Sequence, residues 1–169
     1  MRGPPQSAGV AGALRAWAGF AVLVGAQFGV RPLIAGRATV DFAVIAVLFS
    51  AVRLRPGVAA VVGFLTGLAL DALSPGGFGA SALVLTVLAF SASWLKAVFF
   101  ADHVALTGLF VFSAKWLFDV AMALLTGVGS GASMLVALLV WSPLSAALTA
   151  VVGVLLLVVF RPLYRPHSL

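Results

Sequence analysis

The ionisable residues of this chain are few, and three of them stand out because they lie within apolar runs. Asp71 lies near the end of an apolar run and is followed by Ser-Pro-Gly-Gly-Phe-Gly. Lys115 and Asp119 are four residues apart in another apolar run, so they share one face if that run is helical. An unpaired charge at the centre of a bilayer costs at least about 2.5–3.5 kcal/mol. If these runs cross a membrane, each charge needs a partner or has a function.

Patterns typical of catalysis or metal binding are not found in the sequence. The chain has no cysteine, which excludes disulfides and thiolate metal sites. The two histidines, His103 and His167, are far apart, and no nucleophile accompanies the pair Asp102–His103. There is also no phosphate-binding loop and no pair of neighbouring carboxylates. We therefore expect no enzyme activity, no metal and no cofactor.

The composition indicates an all-α integral membrane protein. Of the 169 residues, 63% are hydrophobic and only 8% are charged, and the mean hydropathy is +1.23. Soluble domains have about 25% charged residues. The net charge of +6 is spread between the apolar segments, so it favours a role in membrane topology over nucleic-acid binding.

Six apolar segments are predicted to cross the membrane as helices, since one crossing needs about 20 residues. Five of them are straightforward and cover about 14–30, 57–73, 79–95, 104–126 and part of 134–160. The second segment has an apolar run of only twelve residues, from Asp41 to Val52. We expect it to extend back towards Ala35 and to carry Arg37 and Asp41 at its outer end. Pro143 either kinks the last helix or separates an interfacial segment, 134–141, from a shorter span.

The distribution of Lys and Arg predicts the orientation. Seven lie on one side of the predicted membrane and two on the other, and the positive-inside rule therefore places both termini in the cytoplasm. The seven are Arg2, Arg15, Arg53, Arg55, Lys96, Arg161 and Arg165, and the two are Arg31 and Arg37. The domain organisation is a cytoplasmic tail at 1–13, one six-helix transmembrane domain at 14–160, and a cytoplasmic tail at 161–169.

Asp71 is predicted near the outer end of the third helix, where the helix dipole disfavours a carboxylate. The short loop 74–78 brings the fourth helix back beside the third, so that the free amides of Gly79, Ala80 and Ser81 lie at the same depth. A helix N-terminus attracts anions, so these amides are candidate partners, as is Arg37. The alternatives are an interfacial carboxylate in contact with water, or a ligand or proton site.

Small residues support the first interpretation, in which Asp71 holds a helical hairpin together. Gly63 and Gly67 form a small-xxx-small pair on the same face as Asp71, and such pairs let helix backbones approach closely in lipid. Pro75 and Gly79 suit the tight turn between the two helices.

Lys115 is predicted near the middle of the fifth helix, where it is expected to form an intramembrane ion pair with Asp119. Asp71 is a less suitable partner because its predicted depth differs from that of Lys115 by about 12 Å, at about 1.5 Å per residue. A proton or ligand site at Lys115 and Asp119 remains the alternative.

The hairpin sequence resembles a known family. The pattern Gly63-Phe-x-x-Gly67-x-x-x-Asp71-x-x-Ser74-x-x-x-Phe78-Gly79-x-x-Ala82-Leu83 resembles the signature hairpin of MreD, the rod shape-determining membrane protein. The order of the surrounding features is also similar: Asp41 on a short second span, a basic loop at Arg53–Arg55, and Asp119 on the fifth span. The resemblance is specific over about residues 35–95.

The resemblance implies a non-catalytic, multi-pass scaffold in the bacterial cytoplasmic membrane. It implies a part in the rod complex (elongasome), which maintains cell shape and directs side-wall peptidoglycan synthesis. The partners so implied are the bitopic protein MreC and, less directly, the filament MreB, the polymerase RodA and its penicillin-binding transpeptidase. On the first span, Ala18, Ala21 and Gly25 are small enough for a foreign helix to approach closely, so they are candidate partner-binding residues.

Two other functions are compatible with a small six-helix chain. One is the substrate-binding subunit of a vitamin transporter, which needs several convergent polar groups around its pocket. The candidates in the outer half reduce to Arg31, Arg37, Asp41, Asp71 and a few Ser and Thr residues, which favours the scaffold. The other is an ion or proton carrier that uses Asp71 and Asp119.

Overall fold

The computed structural model describes residues 6–29, 39–73, 79–95, 104–127 and 135–160, which form six helices and no strand. The predicted all-α class is therefore confirmed for these parts of the chain. The last helix, α6, contains a π-helical turn near its start, which continues directly into an α-helix. The helices are α1 Gln6–Gly29, α2 Phe42–Ala51, α3 Pro56–Ala72, α4 Ala80–Trp94, α5 Val104–Thr126, and α6 with its π-turn Ala137–Trp141 and its α-helix Ser142–Phe160.

Two of the described helices are long and apolar enough to cross a membrane. They are Val104–Thr126 in α5 and Ala137–Val159 in α6, each of 23 residues. The other apolar helical segments are shorter, at 10–17 residues. The count of six crossings and the orientation of the termini stay predictions. α1 begins at Gln6, within the predicted tail 1–13, whereas the predicted tail 161–169 lies outside the described residues.

α2 is the central helix of the fold. It packs against each of the other five helices, and its residues from Ala43 to Leu48 are all buried. With 10 residues it has a length of about 15 Å, which is half of the roughly 30 Å hydrocarbon core of a bilayer. Its apolar sequence is therefore used for packing inside the bundle on all sides.

The predicted backward extension of α2 is wrong for residues 39–41. The helix begins at Phe42, and Asp41 has an extended backbone with φ −103° and ψ 91°. The N–H of Asp41 donates to Thr149 Oγ1 in α6 at 3.2 Å, so this part of the backbone is satisfied by another helix and does not need to be helical itself. Ala35 and Arg37, where the extension was expected to lead, lie outside the described residues.

α3 and α4 form an antiparallel pair in which the glycines of α3 touch the backbone of α4. A Cβ atom on Gly63 would overlap the carbonyl of Leu85, and one on Gly67 would overlap the backbone of Ala82. At the opposite end of the hairpin, the buried Ser93 Oγ donates to the carbonyl of Leu54 at 2.8 Å. Together, the two glycine contacts and this hydrogen bond fix the register of α4 along α3.

α6 is helical without a break from residue 135 to residue 160, so 135–141 is part of the last helix and not a separate interfacial segment. The irregularity before Pro143 is a π-turn in which the N–H of Ser142 bonds to the carbonyl of Ala137. In this π register the carbonyl of Leu138 would need an N–H from Pro143, which has none. That carbonyl instead accepts a hydrogen bond from Trp116 Nε1 of α5 at 3.4 Å.

Candidate functional site

The carboxylate of Asp71 binds the N-terminus of α4. Its Oδ2 accepts from the N–H groups of Gly79 at 2.9 Å and Ala82 at 3.0 Å, and its Oδ1 accepts from the N–H of Ser81 at 3.2 Å. Asp71 is only 3% exposed. The predicted amides were those of residues 79–81, and the structure has Ala82 in the place of Ala80. Arg37, the other candidate partner, lies outside the described residues.

Gly79 precedes α4 with a positive φ of 97°, a left-handed conformation that other residues rarely adopt. A Cβ atom there would meet nothing within 4 Å, so the glycine is needed for its backbone conformation and not for space. This conformation directs the N–H of Gly79 at Asp71. Ser74 and Pro75, the other predicted residues of the hairpin turn, lie outside the described residues.

The predicted ion pair between Lys115 and Asp119 is present, and Lys115 also pairs with Asp41 at the start of α2. Lys115 is 3% exposed and lies near the middle of α5. The second oxygen of Asp119 accepts from Ser142 Oγ of α6 at 2.9 Å. Asp41 was expected at the outer end of its span, yet the structure brings its carboxylate into contact with Lys115 near the middle of α5.

Gln27 of α1 completes the surroundings of Asp41. Its Nε2 donates to Asp41 Oδ1 at 2.9 Å, and its Oε1 accepts from the N–H groups of Phe42 at 2.9 Å and Ala43 at 3.4 Å. Three other helices therefore converge on the N-terminus of α2, namely α1, α5 and α6.

Thr149 and Ser145 of α6 close the remaining side. Besides accepting from the Asp41 N–H, Thr149 Oγ1 donates to the carbonyl of Ser145 at 2.8 Å, and Ser145 Oγ donates to the carbonyl of Thr39 at 2.6 Å. We call the set Gln27, Asp41, Lys115, Asp119, Ser142, Ser145 and Thr149 the polar cluster. Among the described residues, no buried side-chain nitrogen or oxygen lacks a hydrogen-bond partner.

The chemistry of the polar cluster is that of a closed network. Its ammonium lies between two carboxylates, and the remaining carboxylate oxygens accept from a hydroxyl and an amide. Such a buried network is stabilising only when every member is satisfied, as it is here. In the part of the chain that the structure describes, no group of three or more His, Cys, Asp and Glu residues could hold a metal ion.

Four members of the polar cluster were not predicted from the sequence: Gln27, Ser142, Ser145 and Thr149. The three residues of α6 are spaced by three and four positions in an otherwise apolar helix, which places them on one face. This polar face could have indicated a site. Gln27 gave a weaker indication, as a single polar residue near the end of an apolar helix.

The candidate partner-binding residues of α1 lie on its outer surface. Ala18, Ala21 and Gly25 are all exposed, and a Cβ atom on Gly25 would meet nothing within 4 Å. α1 packs mainly on α2, so this face is not covered by another described part of the chain.

Comparison with known proteins agrees with the hairpin pattern. The family model described as rod shape-determining protein MreD matches residues 20–166, which include all of α2 to α6. No curated protein and no solved structure gave a significant match. The family model covers far more than half of the chain, and its span contains both the Asp71 hairpin and the polar cluster. The chain therefore belongs to the MreD family of rod shape-determining membrane proteins.

Proposed function

We propose that the chain is a non-catalytic, multi-pass scaffold of the rod complex in the bacterial cytoplasmic membrane. In this role it supports side-wall peptidoglycan synthesis through an MreC-like bitopic partner, and through that partner it is linked to an MreB filament, RodA and a penicillin-binding transpeptidase. The observation that carries the proposal is the match of the MreD family model over residues 20–166.

The use of the buried polar groups supports a scaffold over an enzyme. Both oxygens of Asp71 accept from backbone amides, and Lys115 is held between two carboxylates. A catalytic acid, base or nucleophile has to reach a substrate. These groups are instead used to hold helices to one another, which is what a structural subunit needs.

The exposed face of α1 supports a partner that crosses the membrane. In lipid, helices associate through close packing and polar contacts, and small residues allow the backbones to approach. Ala18, Ala21 and Gly25 form such a face over two turns of α1. A single-span helix, as in a bitopic protein, fits this face without a large water-exposed interface.

The multi-pass topology is tested by labelling single cysteines, since the natural chain has none. In the proposed orientation the loops after α3 and after α5 face the periplasm, so Gly76→Cys and Ser130→Cys are expected to react with a membrane-impermeant maleimide in intact spheroplasts. His167→Cys is the control and is expected to react only after permeabilisation. Protection of Gly76→Cys in intact spheroplasts would reverse the proposed orientation.

The partner surface is tested by substituting its small residues. Ala21→Leu and Gly25→Leu are expected to lower co-purification of the MreC-like partner by about tenfold, which corresponds to about 1.4 kcal/mol. Ala147→Leu makes the same change as Ala21→Leu at an exposed position of α6 and is expected to leave capture unchanged. Each variant is first checked for a monodisperse, helical monomer.

The transporter alternative predicts a different result in the same experiment. If native-membrane preparations contain a tightly bound vitamin-like molecule and no bitopic partner, the scaffold function is contradicted and a substrate-binding subunit is supported. If Ala21→Leu and Ala147→Leu capture equal amounts of the MreC-like partner, the scaffold function is not contradicted, but the partner surface does not lie on α1.

A further inference from the structure

We infer that Gln27 anchors α1 to the bundle by capping the N-terminus of α2, and that it thereby fixes which face of α1 is presented to a partner. The second half of this inference rests on the proposed function, because it concerns the same partner surface. The first half is independent of any partner.

The N-terminus of α2 lacks the capping bond that its own sequence would supply. Asp41 occupies the N-cap position, where an aspartate side chain commonly accepts from the amides of the first turn. Here Asp41 makes no such bond, since its carboxylate contacts Lys115 and Gln27. The amides of Phe42 and Ala43 donate instead to Oε1 of Gln27, so that the cap is contributed by another helix.

Both ends of the Gln27 amide group are used in this contact. The oxygen serves two backbone amides of α2, and the nitrogen donates to the Asp41 carboxylate at 2.9 Å. Gln27 is 2% exposed, in a helix whose other described side chains are largely exposed or half-buried. A polar group buried to this extent is costly unless it is paired, so its bonds strongly favour one position of α1.

The apolar contacts of α1 do not select a position in the same way. Phe20 and Leu23 pack against the buried core on the side of Gln27, but apolar side chains gain little by exchanging lipid for another helix. Without the polar contact, α1 can rotate or slide against α2 at small cost. The hydrogen bonds of Gln27 therefore determine the register of α1.

The same contact determines the orientation of the partner surface. At about 100° per residue, Gln27 is about 180° from Ala18 and about 160° from Gly25 around the helix axis. When Gln27 points to α2, the small face of α1 points away from the bundle, and Ala18, Ala21 and Gly25 are indeed exposed. Loss of the anchor would let this face turn towards the bundle or shift along it.

The test uses the full chain in detergent micelles and compares three variants. Gln27→Leu removes the cap and the donor to Asp41. Gln27→Asn keeps the amide group but shortens the side chain by one methylene, so that its oxygen no longer reaches the amides of α2. Ala147→Leu, at an exposed position of α6, is again the control. The first readout is hydrogen–deuterium exchange of the peptide that contains Phe42 and Ala43, and the second is capture of the MreC-like partner.

Gln27→Leu is expected to speed exchange of these two amides by at least about tenfold over Ala147→Leu, and to lower partner capture by a similar factor. Gln27→Asn is expected to speed exchange by a smaller factor. If Gln27→Leu cannot be purified, equal exchange in Gln27→Asn and Ala147→Leu overturns the cap. Equal exchange in Gln27→Leu and Ala147→Leu overturns the anchor.

The outcomes separate this inference from the proposed function. One outcome is that Gln27→Leu exchanges faster but still captures the partner, while Ala21→Leu loses it. This outcome overturns only the link between the anchor and the partner surface. If the natural chain captures no bitopic partner, the proposed function and that link are both overturned. The exchange comparison then tests only whether Gln27 anchors α1.

Discussion

Lys115→Met is expected to destabilise the folded protein by about 3–5 kcal/mol, the range found when one partner of a buried ion pair is removed. Lys115 is buried and pairs with both Asp41 and Asp119. Without its ammonium group, two carboxylates that now share one cation would face each other in an apolar interior. The helices that carry them, α2 and α5, would separate or admit water.

A neutral version of the cluster is the decisive comparison. Lys115→Met combined with Asp41→Asn and Asp119→Asn removes all three charges together, and is expected to recover most of the lost stability, since no uncompensated charge remains. Ser113→Met, at an exposed position of α5, is the control. Unfolding is followed by circular dichroism in mixed micelles with increasing SDS. A loss below about 1 kcal/mol for Lys115→Met, the range of exposed ion pairs, would contradict a buried network.

Asp71→Leu is expected to cost at least about 3 kcal/mol, because each buried amide left without an acceptor costs about 1–3 kcal/mol and three amides depend on this carboxylate. The N-terminus of α4 would then have no acceptor at the place where α3 and α4 touch. Asp71→Asn keeps one acceptor oxygen and is expected to cost roughly half as much.

The order of the variants is the test of the hairpin. Ser91→Leu, at an exposed position of α4, is expected to leave the unfolding midpoint unchanged. Midpoints are measured for all three variants in the same SDS titration. If Asp71→Leu and Asp71→Asn unfold together with Ser91→Leu, Asp71 does not hold the two helices.

The α3–α4 hairpin was predictable because its partners are close in sequence. Asp71 and its three amides lie within 11 residues of one another, and the glycine spacing on α3 indicates which face meets α4. The observed amides differ from the predicted set in one member, Ala82 in place of Ala80. Which amides of a helix N-terminus face a carboxylate depends on backbone angles, such as the left-handed φ of Gly79, that a sequence does not specify at single-residue precision.

The polar cluster was only half predictable. Lys115 and Asp119 share a helix face, so helical geometry alone pairs them. The pairing of Lys115 with Asp41 depends on where α2 begins, and the expectation that every span needs about 20 residues placed Asp41 too far out. Because α2 is covered by five other helices, it can be short and can start with buried polar groups. Packing of that kind is set by distant segments and not by the local run of residues.

The dependence of α2 on later helices has a consequence for how the protein is made. Thr149, which accepts from the N–H of Asp41, follows it by 108 residues. At about 5–20 residues per second, a ribosome needs roughly 5–20 s to synthesise that stretch. During this interval the emerging chain contains an aspartate in an apolar segment without its later partners. The nascent protein is thus expected to depend on the insertion machinery or on a membrane chaperone to shelter α2 until α5 and α6 arrive.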